Sequence, residues 1–115
     1  MIDVTISRNE AGLIHSFSIS GHALFADRGK DIVCAGASAI SVGAINAIHE
    51  MTGVVPETEI DYEEGLLRCV IPENLPAQEQ EKIQVLLNGM YFQLKTIEEE
   101  YGRHIRITFK KQEVE

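Results

Sequence analysis

The chain has 115 residues, 44% of them hydrophobic, and sets 10 Lys and Arg against 18 Asp and Glu for a formal net charge of -8. That length suits one compact domain over residues 1–115 with a core of its own. The acidic balance argues against a direct nucleic-acid binder, which needs a basic face, and favours basic partners such as basic polypeptides.

Ile2, Val4 and Ile6 alternate with polar neighbours, the spacing of a strand. Arg8-Asn-Glu-Ala-Gly12 reads as a hairpin turn, and residues 13–20 as a second, antiparallel strand with Leu13, His15, Phe17 and Ile19 on one face. Residues 21–33 show no clean period and read as an exposed loop. A helix is expected from Cys34 to about Met51, with Ser38, Val42, Ile45 and His49 along one line. Gly53 stops it and Pro56 lies just beyond.

Residues 57–62 and 66–71 flank the turn Glu63-Glu64-Gly65, a second hairpin. After Pro72 and Pro76, residues 78–101 form the longest helical segment. Ile83, Leu86, Leu87, Met90, Leu94, Ile97 and Tyr101 make its apolar stripe. Gly102 ends it. Ile105, Ile107 and Phe109 alternate as a last strand, and residues 110–115 read as a polar, frayed tail. The order ββαββαβ predicts an α+β fold: a five-stranded antiparallel or mixed sheet carrying two helices.

The chemistry concentrates between Gly21 and Ser38. Cys34 opens a small-residue helix, where the positive end of the helix dipole favours a thiolate over a thiol. His22, on a glycine-hinged turn upstream, is placed to take the thiol proton. The N–H groups of the first helical turn are candidate donors to an oxyanion. Ala35-Gly36-Ala37 leave room for a substrate backbone. Asp31 suits a helix cap and could also orient His22. Ser38 lies one turn beyond Cys34 and either bonds within the site or packs as a small residue. Against this stands the reading in which Cys34 is a buried small apolar residue, as most free cysteines are.

The run Gly21-His22-Ala23, followed by Gly29-x-Asp31-Ile-Val-Cys34-Ala35-x-x-Ser38, resembles the signature of the ribosomal-processing cysteine protease (Prp) family. The resemblance covers essentially the whole chain. It implies a cytoplasmic bacterial cysteine endopeptidase without a cofactor. Its substrate would be the precursor of ribosomal large-subunit protein twenty-seven, from which it removes a short N-terminal extension. It implies Cys34 as nucleophile and His22 as base, a mobile substrate loop over residues 23–33 to which Gly21 and Gly29 are assigned, and a homodimer. The net charge of -8 suits a basic ribosomal protein as partner. The alternative is a non-enzymatic, ribosome-associated binding module.

Other features read as structural. Two cysteines make no disulfide framework, and a reducing compartment with both thiols free is expected. No signal peptide is visible, and no apolar run is expected to reach the length of a membrane span. Cys69 shares a strand face with Leu67 and Ile71 and belongs in the core. His15 is structural or exposed, His49 suits a helix C-terminus, and His104 opens the last strand with no evident partner. Glu98-Glu99-Glu100 reads as a solvated helix face. His22, Cys34 and Asp31 could ligate zinc, but their spacing matches no usual zinc motif, so no metal is expected. A thiol-redox role lacks a resolving cysteine nearby in sequence. No phosphate-cradling loop is present.

Overall fold

The alternation of Ile2, Val4 and Ile6 places three branched side chains on one face of a pleated strand, and all three are buried. The computed structural model describes residues 1–111. The elements are β1 (Ile2–Arg8), β2 (Ile14–Ser20), α1 (Ile32–Thr52), β3 (Glu57–Asp61), β4 (Leu66–Val70), α2 (Ala77–Tyr101) and β5 (Ile105–Lys111). The order is the expected ββαββαβ. Among the described residues the strands form one sheet in the order β3-β4-β2-β1-β5. Neighbours are antiparallel except β1 and β5, which run parallel with Ile2 opposite Ile105, so the sheet is mixed.

One row across the sheet reads Ile60, Leu67, Ile19, Val4, Ile107; the next row on the opposite face reads Glu59, Arg68, Ser18, Thr5, Thr108. Alternation therefore gives an apolar face and a polar one. Both helices cover the apolar face, α1 through Val33, Ala37 and Ile48 and α2 through Ile83, Leu87, Met90 and Leu94. The α2 stripe read from the sequence is the buried stripe, with Leu86, Ile97 and Tyr101 half-buried at its margins.

Five expectations need correction. The face of β2 does not alternate throughout. Ser7 pairs with Ser16 but Arg8 pairs with Ile14, so His15 is the extra residue of a bulge and Ile14, not Leu13 or His15, is buried. The Gln84 side chain fixes the bulge: its Oε1 accepts from the Ile14 N–H and its Nε2 donates to the Ile14 carbonyl, both at 2.8 Å.

Helix α1 starts at Ile32, two residues before Cys34, because Asp31 caps it. It is also longer and more apolar than expected. It has 21 residues, and a window of mean hydropathy 1.6 makes it long and apolar enough to cross a membrane, yet only 22% of that window is buried. Its buried line is Val33, Ala37, Ser41 and Ile48, while Ser38, Val42 and His49 are exposed.

Glu98 is no solvated bystander: its Oε2 accepts the Ile107 N–H on the open edge of β5. Lys110 and Lys111 belong to β5 rather than to a frayed tail; residues 112–115 lie outside the described residues.

Candidate active site

The end of β2, the starts of β1 and β5, and the N-terminus of α1 meet at one end of the sheet. Gly21 makes this possible. Its φ is +90°, and a Cβ there would run into the Met1 carbonyl oxygen, so no other residue fits. The chain then turns and delivers His22, exposed, and Ala23, buried.

Asp31 organises the next segment. Its Oδ1 accepts from the N–H groups of Val33 at 3.0 Å and Cys34 at 3.1 Å, and its Oδ2 accepts from those of Phe25 at 2.9 Å and Ala26 at 3.2 Å. One carboxylate thus caps the helix and ties the preceding loop to it. Burial pushes its carboxyl up, but these four bonds outweigh burial and hold it below the usual aspartate range. Its bonds go to the backbone rather than to His22.

Cys34 occupies the third position of the helix and is half-buried. Its own N–H is taken by Asp31, which corrects the expectation that this group is free for an oxyanion. The donor on the sulfur is instead the Ala23 N–H, 3.3 Å from Sγ.

His22 is braced by the turn of the second hairpin, which the sequence did not connect with it. Its Nε2 lies 3.3 Å from the Glu63 carbonyl oxygen. Asp61 Oδ1 accepts from the N–H groups of Glu63 and Glu64, both at 3.1 Å, and shapes that turn. Gly65, with φ +64°, lets the turn close on the ring: a Cβ there would lie 2.6 Å from the Gly21 carbonyl oxygen and 2.9 Å from His22 Cε1. Gly65 lies outside the Gly21–Ser38 motif, and its sequence signal is only that of a turn residue.

His22, Cys34 and Ser38 line two adjoining pockets. One, of about 150 Å³, is walled by Ile19, Ala37, Val42, Ile60 and Leu67 and also touches Gly21. The other, of about 500 Å³, is bounded by Leu24, Ala26, Arg28, Gly29, Asp31 and Tyr62. Arg28 Nη2 donates to the Tyr62 carbonyl at 3.4 Å, linking the loop to the hairpin across the second pocket. Two adjoining, mostly apolar pockets with a thiol and an imidazole on the shared wall suit an extended peptide. Among the described residues, no three His, Cys, Asp or Glu side chains gather as a metal-binding group.

The remaining candidates separate cleanly. Cys69 is fully buried in β4, and burial pushes its thiol up to about 12. His104, expected to lack a partner, has one: its Nδ1 lies 2.8 Å from the Ala23 carbonyl oxygen.

Known proteins resemble this chain over nearly its whole length. The family model described as Cysteine protease Prp matches residues 1–106. The ribosomal processing cysteine protease Prp of Bacillus subtilis is 40% identical over 108 residues, covering 94% of this chain and 96% of that protein. A solved structure of the essential ribosomal processing protease Prp from S. aureus, in complex with a covalently linked product peptide, superposes with a TM-score of 0.86 at 36% identity, covering 96% of this chain and all of the other. The same S. aureus protease with a substrate peptide gives a TM-score of 0.82 at 35% identity over 96% of this chain. The chain belongs to the cysteine protease Prp family and is a protease of ribosomal processing.

Proposed function

We propose that the protein removes the N-terminal extension from the precursor of ribosomal large-subunit protein twenty-seven, with Cys34 as nucleophile and His22 as general base and acid. The observation that carries this reading is the shared wall of the two pockets, where a half-buried thiol with a backbone donor on its sulfur lies beside an exposed, braced imidazole. Related S. aureus protease structures hold peptides, which favours an enzyme over the non-enzymatic binding module.

A carbonyl oxygen only accepts, so His22 presents Nε2–H to Glu63 and keeps Nδ1 as its basic nitrogen. Nδ1 takes the Cys34 proton, and the thiolate attacks the scissile carbonyl carbon to form a C–S bond. As the C–N bond breaks, the imidazolium returns that proton to the leaving amine. Water then attacks the thioester and gives a proton to His22, the C–S bond breaks, and the thiolate is regenerated. Asp31 holds the loop against the helix end, and Ser38 contributes to the floor of the cleft.

Exposed apolar residues of α1 outside the two pockets, Ile32 and Ala39, support a homodimer. The acidic surface suits a basic ribosomal precursor rather than nucleic acid.

The test is cleavage of the purified precursor, read by intact mass, with wild type, Cys34→Ala and His22→Ala. Trimming by wild type alone, with both variants folded, is the expected result. Cleavage by Cys34→Ala at the wild-type rate overturns the assignment of the nucleophile.

A further inference from the structure

His104 touches neither pocket, yet the structure fixes it from every side. Its N–H donates to the Tyr101 carbonyl at 2.8 Å, and its own carbonyl accepts from the Ile2 N–H at 2.9 Å. Its ring meets Phe25 edge-on, with centroids 5.3 Å apart, and Phe25 meets Tyr101 in the same way at 5.3 Å. Nδ1 lies 2.8 Å from the Ala23 carbonyl oxygen, which only accepts, so Nδ1 carries the proton.

Ala23 is thereby held at both of its polar groups. Its carbonyl is bound by His104, and its amide donates to Cys34 Sγ. The residue is 1% exposed, so it has no water to substitute for either partner. Fixing both groups of one residue fixes the backbone rotations between them, and so fixes the direction of the N–H.

We propose that His104 is a positioning residue of the protease: by holding the Ala23 carbonyl it aims the Ala23 amide at the Cys34 sulfur and stabilises the thiolate. This deepens the proposed function and rests on Cys34 being the nucleophile. The Cys34 N–H is committed to Asp31, so the Ala23 N–H is the backbone donor left to serve the sulfur. A hydrogen bond strengthens when its acceptor is ionised, so this donor favours thiolate over thiol. It acts twice in the cycle, before attack and again when the thioester C–S bond breaks and charge returns to the sulfur.

The test compares His104→Phe, which keeps an aromatic ring against Phe25 and loses the Nδ1–H, with His104→Asn, which restores a short donor. Iodoacetamide alkylation of Cys34 is followed across pH, kcat and KM are measured for precursor cleavage, and thermal unfolding is recorded. His104→Phe is expected to raise the midpoint of the alkylation profile by about one pH unit and to lower kcat about tenfold with KM little changed, the worth of one hydrogen bond to a charged group. His104→Asn is expected to recover most of both. A folded His104→Phe with the wild-type profile and kcat overturns the proposal.

Should His104→Phe not fold, the Ala23 amide proton decides by NMR. It must move upfield in Cys34→Ala, and a resonance that stays in place overturns the proposal. Cys34→Ala in the same cleavage assay separates the two claims. If it cleaves like wild type, the nucleophile assignment falls; if it is dead while His104→Phe matches wild type, only the role of His104 falls.

Discussion

The two cysteines sit in opposite surroundings, and each shows what the other lacks. Cys69 lies on β4 within the sheet, opposite Phe17 on one side and Thr58 on the other, with no exposure. Burial in apolar surroundings pushes its thiol up to about 12, so it stays protonated and packs as a small apolar side chain. Cys34 lies at a helix start in an open cleft, with a backbone N–H on its sulfur and a histidine on the same wall. Access and donors, not the side chain itself, separate a reactive thiol from a structural one.

The sharpest way to break this contrast is to remove each thiol in turn. Cys34→Ala is expected to lower precursor cleavage by at least about a thousandfold, as loss of a nucleophile does, with little change in urea unfolding. Cys69→Ser should do the reverse. Its hydroxyl in the apolar core is expected to cost about 1–3 kcal/mol in urea unfolding while kcat holds. Loss of activity in folded Cys69→Ser would contradict the separation.

A milder intervention acts on the histidine beside Cys34. Gly65→Ala places a methyl against the Gly21 carbonyl and the His22 ring. We expect kcat to fall about tenfold or more, since small displacements of catalytic groups are costly, with a stability loss near 1 kcal/mol from the strained φ. Wild-type kcat in that variant would mean that the hairpin turn does not hold His22 in its working position.

The smallest effect concerns the helix cap beneath Cys34. The Asp31 carboxyl sits below its ordinary value of 3.8, so its stabilisation is fully present above that value and is lost as pH falls through the folded value. Asp31→Asn, which keeps one acceptor oxygen but loses the charge that four backbone N–H groups share, is expected to cost about 1 kcal/mol at neutral pH. The difference from wild type should shrink as pH is taken below 3.8, read by urea unfolding from pH 7 to pH 3. A difference that stays constant with pH would show that the charge is not what the four backbone groups require.

Local signals carried most of the fold. Alternation in β1, the apolar stripe of α2, and Gly53, with φ +76° at the end of α1, all act within a few residues and left their mark in the order of side chains. Asp31 was legible as a cap for the same reason, though its grip on Phe25 and Ala26 was not. What could not be read depends on residues far apart in the chain. Gln84 completing the backbone of Ile14, Gly65 closing on His22, and His104 reaching Ala23 follow from how strands and helices stack, and no periodicity encodes them. The bulge at His15 shifted a strand face by one residue, which a strict period of two cannot anticipate. The motif located the candidate nucleophile and base; the fold supplied their supports.

The parallel pairing of β1 with β5 has a consequence for synthesis. The first strand and the last lie side by side, and the backbone at Ile2 bonds directly to His104. During translation the segment bearing His22 and Cys34 emerges long before β5, so β1 waits with one edge unpaired and Ala23 without its anchor. Such long-range closure comes late in folding. A nascent chain therefore carries Cys34 before it carries His104, and the sheet closes around Ala23 only once β5 has left the ribosome.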